Sequence, residues 1–230
     1  AAALDGLAAL ATGQPDQLIE GLARRWWLDR GRAPGKLGLA LVARDAQDLL
    51  ARVNDARRTL QGDAGPASDP ALPTASVFYT ASPLGPEAPV AFVFPGSGNH
   101  YAGMGLDLWA AFPGVPRAQG LETASLASQV RPGAIAPWQA AWPDGWEAAA
   151  EAALADDHRT TLLAQVAHGA LMHDLVAGFG VRPSAVVGYS LGETAGFVAT
   201  RTWTNRDELA RRMATTTLFT EELGGRYAAA

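Results

Sequence analysis

The sequence predicts an α/β chain in two units, a small one over residues 1–75 and a larger one over residues 76–230. Three observations carry this reading. Short apolar runs at 37–43, 90–94 and 185–188 alternate with stretches of helical periodicity, the pattern of strands covered by helices. A stretch rich in Gly, Pro, Ser and Asp over residues 61–73 separates the two parts. In the larger part, two apolar runs each lead directly into a Gly-rich turn, at 95–98 and at 188–192.

The elements follow in order. Leu18, Ile19, Leu22 and Trp26 recur at helical spacing, so residues 4–30 read as helix, with Pro15 at a first turn. Residues 37–43 read as a short strand. Asp45 is placed to cap a second helix with Leu49, Leu50, Val53 and Leu60 on one face. Residues 61–73 are the linker candidate, and 75–79 a strand. Residues 90–94 are apolar throughout, as a buried parallel strand requires. The Pro- and Trp-rich segment 113–146 reads as irregular. Helices are expected over 147–155, 160–179 and 191–200, with a strand at 185–188. Asn205 and Glu208 form a capping-box pattern that opens a last helix to about Leu223.

Composition narrows the function classes. The chain has 230 residues, 48% hydrophobic and 18% charged, too apolar for disorder and sufficient for a sizeable core. No apolar run reaches the roughly 20 residues of a membrane helix, so no membrane partner is expected. The absence of cysteine excludes disulfides and thiolate metal centres. A net charge of −5, with nine basic and seven acidic residues over 1–60, leaves no basic surface suited to nucleic acid. Asp156, Asp157 and His158 are adjacent and point different ways, so they read as a solvated charge cluster and no metal is expected. The start lacks Met and resembles no signal peptide; both ends read as cuts in a longer polypeptide. Trp26 and Trp27 could mark a face that packs on a neighbouring domain.

The residues that carry chemistry are Gly188-Tyr189-Ser190-Leu191-Gly192-Glu193, between a short apolar strand and a helix. A Ser on so tight a turn needs small neighbours two positions away, which Gly188 and Gly192 supply. The turn lifts the hydroxyl to a helix N-terminus, where free backbone N–H groups can stabilise a developing oxyanion. The second signal is Phe94-Pro95-Gly96-Ser97-Gly98-Asn99-His100, then Gly103-Met104-Gly105. A Gly-rich loop after a strand lets backbone amides approach a ligand. No Gly-Lys-Ser/Thr follows, so it is no Walker loop, and its spacing does not fit a dinucleotide fingerprint.

Together these motifs resemble the acyltransferase domains of fatty-acid and polyketide synthases, over residues 89–223. Residues 1–75 resemble the small α/β linker between ketosynthase and acyltransferase domains. The variants Gly-Ser-Gly-Asn-His-Tyr and Gly-Tyr-Ser are most similar to acyltransferases of bacterial polyunsaturated-fatty-acid synthases. The resemblance implies the first part of an α/β-hydrolase-like large subdomain. It also implies cytoplasmic transfer of an acyl group from coenzyme A to the phosphopantetheine of an acyl carrier protein, through an acyl-serine. No bound cofactor is implied; the partners are the carrier protein and a ketosynthase-like domain. Ser190 matches the nucleophile, and the amides of Ser97 and Leu191 match the oxyanion hole.

Three positions depart from the family. Tyr189 replaces a His beside the nucleophile, and Thr161 stands where a Gln lines the site. Ungapped counting puts Thr215 where malonyl-specific members carry an Arg that grips a carboxylate. Arg211 and Arg212 lie a turn away and could take that role, but the favoured substrate is an acyl group without a carboxylate, or a product acyl chain. The family's base is a His beyond the Ser, and no His follows Ser190 here. His100 reads as a polar residue lining the site, and His168 and His173 as helix residues. The base, and a small ferredoxin-like subdomain, are therefore expected beyond residue 230. Rival readings are a serine hydrolase or thioesterase, and a non-catalytic docking or scaffold domain.

Overall fold

The computed structural model describes residues 2–30, 37–62, 76–85, 87–135 and 143–217. They form two compact units that divide between Ala88 and Pro89. This boundary lies beyond the expected break at residue 75, because the strand after the linker pairs back into the first unit. Most of the linker candidate, from residue 63 on, lies outside the described residues.

The first unit contains α1 (Ala2–Gly13), α2 (Ile19–Arg30), β1 (Gly38–Leu41), α3 (Ala46–Gln61) and β2 (Val77–Thr80). The single helix expected over 4–30 is two helices. Pro15 supplies no backbone donor and disfavours helical geometry at Gln14, so α1 stops and α2 begins only at Ile19. Asp45 caps α3 as expected, accepting from the Asp48 amide at 2.7 Å, and Gly62 closes it in the left-handed conformation at φ 81°. The buried face of α3 is Ala46, Leu49, Val53 and Ala56. Leu60 was expected on that face but lies at the exposed end of the helix. β1 and β2 pair antiparallel, Gly38 opposite Thr80 and Leu41 opposite Val77. Trp27 is 57% exposed.

The second unit is organised around β3 (Ala91–Phe94), β4 (Ala185–Gly188), and the helices α9 (His158–Gly178) and α10 (Leu191–Ala199). β3 and β4 are parallel neighbours, Phe94 opposite Gly188. The strand at 90–94 is buried on one face only. Phe94 sits in a core with Val166, Ala170, Ala195, Val198 and Ala199, while Val93 on the other face is 73% exposed. Asp157 caps α9, accepting from the Thr160 amide at 3.0 Å. The acidic cluster around it is thus partly a helix cap.

The segment read as irregular contains short helices: α5 (Gly114–Gln119), α6 (Leu126–Val130) and α7 (Pro132–Ile135), preceded by the unpredicted α4 (Leu106–Ala111) and followed by α8 (Trp146–Ala155). Residues 136–142 lie outside the described residues. The last helix, α11 (Arg206–Thr215), opens on Asn205, which accepts from the Glu208 amide at 2.9 Å. The reciprocal half of the capping box is absent, because Arg211 and Arg212 hold the Glu208 carboxylate. α11 ends at Thr215; the expected extension to Leu223 falls mostly outside the described residues. Among the described residues no helix is long and apolar enough to cross a membrane.

Candidate active site

Ser190 stands between β4 and α10 at φ 54° and ψ −118°, a conformation that non-glycine residues rarely adopt. Its neighbours show why the turn is so tight. A Cβ on Gly188 would stand 2.6 Å from Glu193 Cα, and one on Gly192 would stand 2.7 Å from the Phe94 carbonyl carbon. Both glycines are therefore required for the turn to lie against β3. Farther along α10, Gly196 allows close approach to Val186. Ser190 is exposed, and among the described residues its hydroxyl makes no hydrogen bond to a base.

The loop after β3 faces the same turn. Tyr189 donates its amide to the Phe94 carbonyl at 3.4 Å, and its ring lies over Gly96, although the side chain is 79% exposed. Ser97 and Leu191 both have backbone N–H groups with no hydrogen-bond partner among the described residues. His100 follows the loop and is half-buried.

The loop is held by a residue that the sequence reading did not single out. Gln165 of α9 donates Nε2–H to the carbonyls of Pro95, at 3.3 Å, and Gly96, and accepts from the Asn99 amide at 3.4 Å. Asn99 in turn donates Nδ2–H to Gly96 O at 3.0 Å. Thr161, expected to line the site, is buried one helical turn earlier. Its hydroxyl donates to the His158 carbonyl at 2.9 Å and does not reach the loop. The signal that could have found Gln165 is its position four residues after Thr161, on the same face of a helix.

Thr215 lies at the exposed end of α11, with its hydroxyl bonded back to the Arg211 and Arg212 carbonyls at 3.3 and 3.1 Å. Both arginine side chains are engaged by Glu208, at 2.6 and 2.7 Å. Hydrogen bonds from Arg211 and Arg212 lower the Glu208 pKa to about 2, so the carboxylate is ionised at neutral pH, on an exposed face of α11. His168 and His173 lie on α9; His173 donates Nδ1–H to Asp174 at 3.0 Å. No group of three or more His, Cys, Asp or Glu residues stands together as a metal site among the described residues.

No family model matches the chain. The chain is 36% identical over 117 residues to the non-reducing polyketide synthase ZEA1 of Gibberella zeae, covering 50% of this chain and 5% of the synthase. It is 37% identical over 112 residues to the non-reducing polyketide synthase rdc1 of Metacordyceps chlamydosporia, covering 47% and 5%. Among solved structures, the acyltransferase domain of ZmaA matches with a TM-score of 0.61 at 20% identity, over 90% of this chain and 44% of that one. The acyltransferase domain of SpnD, in complex with 2-(pent-4-yn-1-yl)malonyl, matches with a TM-score of 0.51 at 19% identity, over 92% and 45%. The chain thus spans a small part of the curated synthases it matches and under half of the solved domains, and its mixed α/β fold resembles that of polyketide synthase acyltransferase domains.

Proposed function

We propose that this chain is the Ser-bearing part of an acyltransferase that moves an acyl group from coenzyme A to an acyl carrier protein. Its setting is a cytoplasmic synthase of the polyketide or polyunsaturated-fatty-acid type, beside a ketosynthase-like domain. The observation that carries the reading is Ser190 at φ 54° on a strand–turn–helix, with two unpaired amides, Leu191 and Ser97, in the turn and in the adjoining loop. In the proposed reaction the Ser190 hydroxyl attacks the thioester carbonyl and gives up its proton to a base. The carbonyl oxygen becomes an oxyanion, which the two amides receive. Collapse breaks the C–S bond, and the coenzyme A thiol leaves with a proton. The phosphopantetheine thiol then attacks the acyl-serine by the same steps in reverse.

The base is proposed to lie beyond residue 230, consistent with an unpaired Ser190 hydroxyl and with solved domains of more than twice this span. Thr215, at the position where malonyl-specific members carry an Arg, has no charge to offer a carboxylate and bonds back to its own helix, which supports a substrate without a free carboxylate. Tyr189 and His100 are proposed to line the acyl site.

Intact-mass spectrometry after incubation with acetyl-, long-chain acyl- and malonyl-CoA tests the reading, on this chain and on a form extended to the length of the solved domains. The expected result is a mass gain from a neutral acyl group that Ser190→Ala abolishes. A gain from malonyl-CoA alone would overturn the neutral-substrate assignment and make Arg211 or Arg212 the clamp. The unpaired hydroxyl also favours a second reading, a docking domain without catalysis. That reading prevails if neither form gains mass and Ser190 does not react with a fluorophosphonate.

A further inference from the structure

The two amides that receive the oxyanion in the proposed reaction are held differently. The Leu191 N–H is fixed by α10, at its first residue, whereas the Ser97 N–H stands in a loop between two glycines, Gly96 and Gly98. Glycine offers a peptide plane little resistance to rotation. No side chain can stiffen position 96, because a Cβ there would stand 3.0 Å from the Tyr189 ring and 3.2 Å from the Tyr189 carbonyl oxygen. The direction of the Ser97 N–H therefore depends on what grips the loop.

That grip is Gln165. Its side chain is carried by α9, and the residue is only 8% exposed, so its amide must close its hydrogen bonds inside the protein. It closes them on this one loop, on Pro95, Gly96 and Asn99. Nε2 faces two carbonyls, which can only accept, and Oε1 faces an N–H, which can only donate, so the orientation of the amide is unambiguous. Asn99 Nδ2–H adds a second donor to the Gly96 carbonyl, at 3.0 Å. The Gly96 carbonyl and the Ser97 N–H belong to one planar trans peptide unit and point in opposite directions. Drawing the carbonyl toward α9 thus turns the N–H away from α9, to the exposed side of the loop.

We propose that Gln165 is a positioning residue that aims the Ser97 N–H at the oxyanion by anchoring the opposite edge of the same peptide unit, with Asn99 as a second anchor. The catalytic consequence rests on the reading of Ser97 as an oxyanion donor; the anchoring does not.

Two measurements separate these. In the isotope-labelled 230-residue chain, the residual dipolar coupling of the Ser97 N–H reports its direction. Gln165→Met, which keeps the length of the side chain and removes its hydrogen bonds, should average that coupling toward zero and leave those of α9 and α10 unchanged. In the form extended to the length of the solved domains, acylation of Ser190 by p-nitrophenyl acetate is followed as p-nitrophenolate, with Ser190→Ala as the blank. Gln165→Met should lower kcat about 100-fold, the effect of losing one oxyanion donor. KM and the fraction of protein acylated should stay as in wild type. If Gln165→Met fails to fold, Asn99→Ala, on the exposed loop, should move both readouts in the same direction. An unchanged dipolar coupling overturns the proposal. So does an unchanged kcat in a reactive protein, or a loss that falls on KM or on the fraction acylated, as a purely structural role would give. If wild type itself does not acylate, the acyltransferase reading fails and the dipolar coupling alone decides whether Gln165 aims the amide.

Discussion

Ser190 pays for its geometry in backbone strain, of about 1–3 kcal/mol for a residue held in such a region. Its φ and ψ mirror an ordinary extended conformation, so glycine would adopt them freely. Ser190→Gly is therefore expected to raise stability by about 1 kcal/mol after the added freedom of the unfolded chain is subtracted. A urea midpoint measurement checks this; a lower midpoint would mean that the turn is not strained. At this scale the sequence was most informative at Ser190 itself, because Gly188 and Gly192 are dictated by contacts within a few residues of it. It was least informative at Gln165, whose partners Pro95, Gly96 and Asn99 are distant in the chain. The resemblance to the family pointed instead to Thr161, whose hydroxyl bonds only to the backbone of its own helix.

Among the elements, α10 shows how a local preference can be reversed by packing. Gly→Ala inside a helix ordinarily stabilises by up to about 1 kcal/mol. At Gly192 the added methyl would meet the Phe94 backbone, which cannot move without displacing β3. Gly192→Ala is expected to destabilise the second unit by about 3 kcal/mol, the upper end of an overpacked site. Equilibrium denaturation decides, since the two effects have opposite signs. Helix starts were legible where a side chain closes its own cap, as at Asp45 and Asn205. Asn205→Ala should cost about 1 kcal/mol, confined to exchange protection in α11. The short helices over 106–135 were not legible. They lack a long apolar stripe, and remote side chains hold them: Thr123 and the Ala124 amide bond to Asp207, and Gln119 and Gln129 bond to Arg206.

On the scale of the molecule, each unit has its own buried clusters, and in the second unit a polar network ties distant segments together. Arg201 grips Asp174 through two hydrogen bonds, at 2.7 and 2.6 Å, and holds Glu122 at 3.0 and 3.1 Å. Burial pushes the Asp174 pKa up, but hydrogen bonds from Arg201, His173 and Gln119, with the Arg201 charge, more than reverse this. The carboxyl therefore titrates below its ordinary value of 3.8. A group whose folded pKa is depressed adds stability that is fully present above its unfolded pKa. That stability is lost as pH falls through the folded value. Asp174→Asn should thus cost the second unit about 2 kcal/mol at neutral pH, the range for a charge-assisted bond. The difference between variant and wild type should shrink as pH drops below 3.8, where the unfolded chain takes up the proton first and the folded carboxyl follows at lower pH. Hydrogen exchange on α9 peptides across that range separates the outcomes. A difference that is independent of pH would show that Asp174 acts through packing alone.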